Sequence, residues 1–352
     1  MTENRWFAAE LVAWQRVHGR HGLPWQSTQT TRPAAYCVWL SEVMLQQTQV
    51  TTVIGYYARF LERFPNVQTL AEASEDDVLA LWSGLGYYSR ARNLHRAAKL
   101  VMTRFGGEFP NDPALLVALP GVGRSTAAAI AAFSFGVQAA ILDGNVKRVL
   151  SRVFALTDAP SAKHEAALWA LADCLTPSQG IESYTQGLMD LGATICSRSK
   201  PTCAICPMAE HCEARKLGIQ SELPTRKIKT AKQRERRVEH CSMAVVVAGG
   251  AVYLEQRASS GIWAKLWSFP QFTSLSGAEI WSNTLGVVNA KGEFREPIKH
   301  SFTHFDLLIE PLVFKLARKP DMVAETGGRW VNLDELAQLG VPAIVQKLLA
   351  MV

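Results

Sequence analysis

The first two thirds of the chain carry apolar side chains at helical spacing. From residue 1 to about 216, amphipathic runs alternate with short stretches that contain Pro or Gly, such as LPW (23–25), RFPNV (63–67) and LPGVG (119–123). This pattern predicts an almost entirely helical region.

Beyond residue 241 the pattern changes to alternating and β-branched runs. SMAVVVA and AVYLEQR flank Gly249-Gly250, which is typical of a two-residue hairpin. FTHFDLLIEPLVFKLA and RWVNL predict further strands, and LDELAQLGVPAIVQKLLA predicts a closing helix. We therefore expect a separate α+β domain over 241–352.

One carboxylate interrupts a strongly apolar predicted helix. Glu42 follows AAYCVWLS and precedes VMLQQTQV, and at helical spacing it shares a face with Val38, Trp39, Leu45 and Gln46. Carboxylates are rarely buried unless they are paired or used. Glu42 therefore either points into solvent or supplies a carboxyl group in a poorly solvated place.

Composition and charge narrow the classes of protein. The chain has 352 residues, 48% of them apolar, and no apolar run that could span a bilayer. Its first residues lack the apolar core of an export signal, so we expect a cytoplasmic protein without a membrane partner. The net charge is +6, and most of it lies in 226–240. That stretch belongs to a predicted exposed linker, 217–240, for which a solvated tether and a phosphate contact remain alternatives.

Four of the seven cysteines cluster in CSRSKPTCAICPMAEHC. Cys196, Cys203, Cys206 and Cys212 have the spacing C-x6-C-x2-C-x5-C, which suits an iron–sulfur cluster or a structural zinc. In a chain that is not exported, such clustering favours a metal centre over disulfides. The other three cysteines, Cys37, Cys174 and Cys241, are predicted to be small buried side chains.

Three further stretches suit contacts to nucleic acid, although each has a structural alternative. Gly121 and Gly123 precede an alanine-rich helix, so the hairpin and the helix N-terminus could bind an anion or form an ordinary turn. Residues 86–107 are rich in basic residues, contain no acidic residue and overlap GLGYY (84–88), which fits a nucleic-acid groove or a solvated face. Asp143, ahead of Lys147, fits a helix N-cap.

Together these features indicate an enzyme that acts on DNA. Cleavage of an N-glycosidic bond needs protonation of the departing base and stabilisation of a sugar cation, the roles of two carboxyl groups in glycoside hydrolysis. Desolvation would raise the pKa of Glu42 and make it the acid. Asp143, at a helix N-terminus, would remain ionised and stabilise the cation.

The chain resembles adenine DNA glycosylases of the MutY type, within the helix-hairpin-helix, iron–sulfur glycosylase superfamily. The resemblance rests on the four-cysteine spacing and on six blocks: LPW (23–25), SEVMLQQTQV (41–50), GLGYYSRARNLH (84–95), LPGVGRSTA (119–127), LDGNVKRV (142–149) and MDLGATIC (189–196). It implies a multi-domain fold, in which an all-α glycosylase region over 1–216 is followed by a Nudix-like α+β domain. The helical region would comprise a six-helix domain at about 30–135 and a domain from 1–29 and 136–216 that carries one 4Fe–4S cluster.

The resemblance also implies a function and a set of site residues. The substrate would be double-stranded DNA with adenine opposite 8-oxoguanine or guanine, and the protein a bacterial, nucleoid-associated monomer. Glu42 would protonate adenine, Asp143 would stabilise the sugar cation and Asn145 would support them. Contacts to the DNA or to the flipped base are expected from Gln47, Tyr87, Gly121, Gly123, Ser125, Lys147 and Gln186.

Ser125 separates this family from its relatives. In the related endonuclease-three-like enzymes, which excise oxidised pyrimidines, the residue after GVGR is a lysine that forms a Schiff base. Ser125 stands there in this chain, so we expect base excision without efficient strand cleavage.

The C-terminal part resembles a Nudix domain that has lost its catalytic carboxylates. WAKLWSFPQF and RWVNLDEL carry the likeness, but residues 270–300 contain no REx2EExG-like array to hold magnesium. The resemblance implies that this domain recognises 8-oxoguanine through a loop that typically reads Phe-Ser-His. Here the loop is Phe302-Thr303-His304.

Two alternatives from other classes remain at this point. A glycosylase of the same fold could act on mismatched thymine or on oxidised pyrimidines, although Ser125 and the extra domain argue against it. A DNA-binding scaffold or redox-sensing iron–sulfur protein would need no acid at Glu42.

Overall fold

The computed structural model describes residues 5–26, 32–225, 236–284, 292–320 and 327–352, and these form two compact units. The described residues of Met1–Ala71 and Arg96–Ile228 form the helical unit. Those of Glu72–His95 and Lys229–Val352 form the second unit, which contains the β-sheet.

Short helices joined by tight turns build the helical unit, as the sequence pattern predicts. Ser161 caps the helix Ala162–Leu175 by accepting a hydrogen bond from the backbone N–H of His164, and Gly136 ends the helix Arg124–Phe135 in the left-handed conformation. In chain order the first six helices are α1 (Arg5–His18), α2 (Ala35–Leu45), α3 (Val50–Arg63), α4 (Val67–Glu72), α5 (Glu75–Leu81) and α6 (Ser89–Phe105). The later ones are α7 (Pro113–Leu116), α8 (Arg124–Phe135), α9 (Gly144–Val153), α10 (Ala162–Leu175), α11 (Ile181–Asp190) and α12 (Glu213–Leu217).

The core around α9 fixes the positions of the predicted site residues in its neighbourhood. Apolar side chains of α1, α8, α9, α10 and α11 pack together, among them Leu11, Leu150 and Tyr184. A glycine allows α1 and α11 to approach closely, because a Cβ at Gly187 would lie only 3.0 Å from Cγ of Leu11. Directly after α11 the chain forms a π-helical turn, Leu191–Ile195, that leads into the first clustered cysteine.

Among its described residues the second unit contains a mixed eight-stranded sheet, so the expected α+β class is confirmed. β1 and β7 pair in parallel along their whole length, and β2 follows β1 through the predicted Gly249-Gly250 hairpin. The strands are β1 (Arg237–Ala248), β2 (Ala251–Gln256), β3 (Trp267–Ser268), β4 (Gln271–Phe272), β5 (Glu293–Phe294), β6 (Ile298–Ser301), β7 (Phe305–Leu316) and β8 (Gly328–Asn332). Two helices accompany them, α13 (Leu275–Thr284) and α14 (Ala343–Leu349).

The closing helix is shorter than the sequence pattern predicts. The run LDELAQLGVPAIVQKLLA forms a 3-10 turn at Leu336–Gln338 and then α14, with an extended segment between them. Pro342 forms the N-cap of α14, because proline lacks the N–H that a continuous helix would need at this point.

The two ends of the predicted linker are also ordered. Leu223 is 3% exposed and belongs to the helical core, and β1 already begins at Arg237. Residues 226–235, which carry much of the basic charge, lie outside the described residues. No helix among the described residues is long and apolar enough to cross a membrane.

Residues 72–95 differ from the predicted division of the chain. They were expected inside the six-helix domain at about 30–135, but they pack with the C-terminal residues. Gly340 lies so close to α5 that an added Cβ would be 2.6 Å from Cβ of Leu79. Helical spacing alone identifies the segment as helical, but it does not reveal which core the helix joins.

Candidate active site

Glu42 lies on α2 and lines a pocket in the helical unit. The pocket has a volume of about 260 Å³ and is bordered by Val38, Leu45, Gln186 and Trp25, among others. This is close to the lower end of the roughly 300–1,000 Å³ typical of small-molecule sites. The size suits a single planar base better than a larger ligand.

The carboxyl group of Glu42 is protonated near neutral pH. Burial is the larger cause and the nearby negative charge of Asp143 the smaller one, and together they raise the pKa of Glu42 to about 8. The side chain is only partly exposed, toward the pocket. The structure therefore places a neutral carboxylic acid, able to donate a proton, at the edge of a cavity.

Asp143 is the N-cap of α9, as the sequence predicts. One of its carboxylate oxygens, Oδ1, accepts hydrogen bonds from the backbone N–H groups of Asn145 at 2.9 Å and Val146 at 2.8 Å. Ser125 holds the residue before Asp143 in place, since Oγ of Ser125 accepts a hydrogen bond from the N–H of Leu142 at 3.0 Å. Asp143 thus has a fixed position, and its effect on Glu42 shows that the two carboxyl groups are electrostatic neighbours.

Asn145 is clamped between α9 and the π-helical turn. Its side-chain oxygen accepts a hydrogen bond from Nη2 of Arg148 at 2.7 Å, and the same nitrogen donates to the carbonyl of Gly192 at 2.7 Å. Gly192 must be a glycine, because a Cβ there would be 2.6 Å from Cβ of Asn145. Nε of Arg148 donates to the carbonyl of Cys196 at 2.8 Å and so ties this corner to the cysteine loop.

Gln186 lies at the pocket, where its orientation is fixed by a buried carboxylate. Its Nε2 donates to Oδ1 of Asp190 at 2.8 Å. Asp190 also accepts hydrogen bonds from the backbone N–H and the guanidinium of Arg20, at 2.8 and 2.7 Å. This bond engages the amide nitrogen of Gln186 and fixes the amide plane, so the side-chain oxygen is the atom that can accept a hydrogen bond from a ligand.

Sequence reasoning missed the contribution of the segment that follows α1. Arg20, Trp25 and Gln26 line the same pocket as Glu42. LPW (23–25) was the only signal in that segment, and it indicated a turn without revealing which residues the turn brings to the pocket.

All four clustered cysteines line one cavity beside α9. Nη1 of Arg152 donates to Sγ of Cys196 at 3.3 Å, and burial raises the pKa of the Cys206 thiol to about 12. Within the described residues no three metal-binding side chains meet closely enough to hold a single ion. Four sulfur donors that line one cavity, with the guanidinium of Arg152 at one of them, form a donor set that suits an iron–sulfur cluster or a structural zinc.

The other cysteines follow the prediction only in part. Cys241 is buried and Cys37 is partly buried, but Cys174 is exposed at the C-terminal end of α10. The apolar neighbours of Cys174 in sequence occupy other faces of the helix, so they gave a misleading indication of its burial.

The basic residues after Asp143 do not form an open cationic patch. Arg152 is 2% exposed, and its guanidinium donates to the carbonyls of Ser197, Arg198 and Leu223. Lys147 forms an ion pair with Glu165 at 2.6 Å. In the cysteine loop, by contrast, Arg198 and Lys200 are exposed.

The glycine hairpin and the stretch after α2 are joined at the surface. Gly121 has a φ of 80°, and Gly123 forms the N-cap of α8, where it contributes no side-chain hydrogen bond to the first N–H groups. Nε2 of Gln46 donates to the carbonyl of Gly121 at 3.3 Å. The next residue, Gln47, is exposed and has a φ of 58°, a strained conformation for a residue with a side chain.

In the second unit, Tyr87 and the loop at 302–304 are both exposed. Tyr87 has a φ of 49° and 46% of its side chain is accessible. Thr303 and His304 form the exposed tip between β6 and β7. Phe302 anchors this tip by stacking on Phe305, with ring centroids 4.7 Å apart.

Two family models match the chain. Residues 40–173 match "HhH-GPD superfamily base excision DNA repair protein", and residues 242–351 match a NUDIX domain.

Curated relatives match almost the whole chain. An adenine DNA glycosylase from Buchnera aphidicola subsp. Baizongia pistaciae is 37% identical over 347 residues, which cover 97% of this chain and 95% of the relative. The adenine DNA glycosylase of Homo sapiens is 33% identical and covers 97% of this chain and 73% of its own length.

Solved structures match the helical part. A thermostable thymine-DNA glycosylase superposes with a TM-score of 0.53 at 28% identity, covering 60% of this chain and 95% of its own. A non-covalent endonuclease III–DNA complex has a TM-score of 0.50 at 21% identity, covers 61% of this chain and 96% of its own, and shows the fold alone.

Proposed function

This chain belongs to the adenine DNA glycosylase family, and from that premise we propose that it excises adenine mispaired with 8-oxoguanine or guanine from double-stranded DNA. The observation that carries the mechanism is the carboxyl group of Glu42, whose pKa of about 8 keeps it protonated beside a pocket of nucleobase size. Adenine leaves poorly as an anion, so a proton donor at the base lowers the barrier to cleavage.

Asp143 supplies the second carboxyl group of the mechanism. Cleavage leaves positive charge on the sugar, and an ionised carboxylate nearby stabilises that charge. The two N–H groups that cap its Oδ1 hold it in place. Asn145 acts as a positioning residue, because its side chain connects the start of α9 to Arg148 and the π-helical turn.

The flipped adenine would occupy the pocket beside Glu42 and Gln186. An amide side chain can pair with the edge of adenine, and the bond to Asp190 sets the orientation of Gln186. Trp25 offers an aromatic wall. An amide that can pair with the base and an aromatic ring that can pack against it together support recognition of a purine in this pocket.

Two sets of surface features support binding of the DNA. The N–H groups at the start of α8, behind Gly121 and Gly123, form an anion site for a backbone phosphate. Gln47 and Tyr87 are exposed and held in left-handed backbone conformations, which suits side chains that enter a base stack. Lys147 would have to leave Glu165 before it could contact a phosphate.

We propose that Cys196, Cys203, Cys206 and Cys212 hold one 4Fe–4S cluster. Bound there, the cluster would supply a rigid cross-link of the loop that presents Arg198 and Lys200 to the DNA backbone. The purified chain should contain iron and acid-labile sulfide in equal amounts. Zinc without sulfide would contradict the assignment.

The second unit would read the base opposite adenine through Thr303 and His304. Both side chains are exposed at the tip of the hairpin between β6 and β7, and the stacking of Phe302 on Phe305 anchors that tip. The protein would act as a monomer in the bacterial cytoplasm, on the DNA of the nucleoid. Ser125 bonds a backbone N–H and offers no amine, so the chain should excise the base without efficient strand cleavage.

Single-turnover excision tests the proposal. Duplexes would carry adenine opposite 8-oxoguanine, adenine opposite guanine, thymine opposite guanine, or thymine glycol, and alkali would reveal excised sites. We expect removal of adenine only, and its loss in Glu42→Gln. Glu213→Gln, which removes an exposed carboxylate paired with Lys216, is the matched control. Removal of thymine instead, or normal excision by Glu42→Gln, would refute the proposal.

A further inference from the structure

The loop that presents Tyr87 is unusually well restrained for an exposed segment. Gly84, Gly86 and Tyr87 all have positive φ, at 92°, 75° and 49°. Nε1 of Trp82 donates to the carbonyl of Gly86 at 3.1 Å, and Nη2 of Arg90 donates to the same carbonyl at 3.2 Å. The loop therefore holds Tyr87 in one conformation before DNA is present.

The same loop is bonded to the C-terminal residues through one backbone carbonyl. Oγ of Ser83 and the hydroxyl of Tyr88 both donate to the carbonyl oxygen of Val341, at 2.9 and 3.1 Å. The Tyr88 hydroxyl also accepts a hydrogen bond from the N–H of Gly84 at 3.2 Å. Tyr88 thus links the turn that carries Tyr87 directly to the segment that precedes α14.

A second connection leads from the start of α6 toward the loop at 302–304. Nη1 of Arg92 donates to the carbonyl of Ala264 at 2.9 Å. The adjacent Trp263 is buried, and its ring packs against that of Phe302 with centroids 5.5 Å apart. Phe302 directly precedes Thr303 and His304, so the two exposed loops are attached to the same rigid framework.

We propose that Tyr88, Ser83 and Arg92 are positioning residues that make Tyr87 and the 302–304 loop a single rigid reader of DNA. The inference rests on the proposed function, in which Tyr87 enters the base stack and Thr303 and His304 contact the base opposite adenine. Because the two contacts are then made by one body, neither loop loses freedom separately when DNA binds. Discrimination for 8-oxoguanine therefore depends on the hydrogen bonds between the loop and the C-terminal residues.

The test compares excision of adenine opposite 8-oxoguanine with excision opposite guanine in the full-length chain. In the double variant Ser83→Ala/Tyr88→Phe, the ratio of the two second-order rate constants should fall by about tenfold, as expected for the loss of two neutral hydrogen bonds. Excision at saturating enzyme should change little, because Glu42 and Asp143 are untouched. The matched control is Tyr36→Phe, which removes a hydroxyl that donates to the carbonyl of Phe64 at 2.7 Å in the helical unit. It should leave the ratio unchanged.

A mutant cycle separates positioning from general loss of structure. In a Tyr87→Ala background, the Ser83→Ala/Tyr88→Phe change should no longer alter the ratio, whereas a merely structural defect would add to that of Tyr87→Ala. Arg92→Lys, which keeps the charge but loses the guanidinium, provides a second variant in case the double variant does not fold. It too should lower the ratio.

The outcomes distinguish the two levels of inference. A wild type that removes no adenine overturns the proposed function. A wild type that removes adenine, with variants that keep the wild-type ratio or add to Tyr87→Ala, overturns the positioning role alone.

Discussion

Glu42→Gln should abolish excision and at the same time stabilise the protein. The carboxyl group of Glu42 has a pKa of about 8 in the folded chain, against a reference of 4.5. Ionising this group therefore costs more in the folded than in the unfolded chain, by about 1.4 kcal/mol for each unit of difference between the two pKa values. Glutamine has nearly the same shape and cannot ionise, so it removes that cost.

The sign of the pH dependence follows from which state releases its proton first. Below about pH 4.5 the carboxyl group is neutral in both states and costs nothing. Between 4.5 and 8 the unfolded chain ionises first, so the wild type loses stability as the pH rises, and above 8 the loss is complete. The variant should be more stable than the wild type by about 1 kcal/mol at pH 5 and by up to about 4 kcal/mol at pH 8.

Urea unfolding at a series of pH values, followed by far-ultraviolet circular dichroism, measures this difference. Glu213→Gln replaces an exposed carboxylate and should track the wild type at every pH. In the wild type the single-turnover rate should fall about tenfold per unit above pH 8, because less of Glu42 remains protonated. A stability difference that does not change between pH 5 and 8 would show that Glu42 ionises normally, and the assignment of the acid would be wrong.

Three other substitutions probe the surroundings of Asp143. Asp143→Asn keeps an N-cap acceptor, so the free energy of unfolding should change by less than about 1 kcal/mol. The excision rate should nevertheless fall about 100- to 1,000-fold. Ser125→Ala leaves the N–H of Leu142 without its acceptor and should cost about 1–3 kcal/mol in urea unfolding, which Ser125→Thr should largely restore. Gly192→Ala places a Cβ 2.6 Å from that of Asn145. The free energy of unfolding should fall by about 1–3 kcal/mol, and the excision rate should fall as well. An unchanged rate would argue against a positioning role for Asn145.

The local surroundings of the two candidate carboxyl groups could be predicted from sequence patterns. A lone acid in the apolar run before VMLQQTQV indicated a desolvated Glu42, and the start of an amphipathic run indicated that Asp143 is a cap. Both features depend on a few neighbouring residues, and for that reason local spacing was enough. Their electrostatic proximity involves residues about one hundred positions apart, which spacing does not determine.

Partners that are distant in the chain could not be predicted in the same way. Arg148 and Arg152 follow Asp143 in KRVLSR, and their guanidinium groups bond to carbonyls of the cysteine loop. Residues 72–95 were expected in the six-helix domain, but they share a unit with C-terminal residues whose first strand begins more than 140 residues further on. Arg148, Arg152 and Tyr88 all donate to backbone carbonyls, and a backbone carbonyl leaves no trace in the identity of the residue that carries it.

The two carboxyl groups differ because their surroundings differ, although they are the same chemical group. Glu42 lies on an apolar helix face, where burial disfavours its charge, and the charge of Asp143 disfavours it further. Asp143 instead accepts hydrogen bonds from two backbone N–H groups at the start of α9. Since the negative charge of Asp143 raises the pKa of Glu42, a change that neutralises Asp143 should lower the pKa of Glu42.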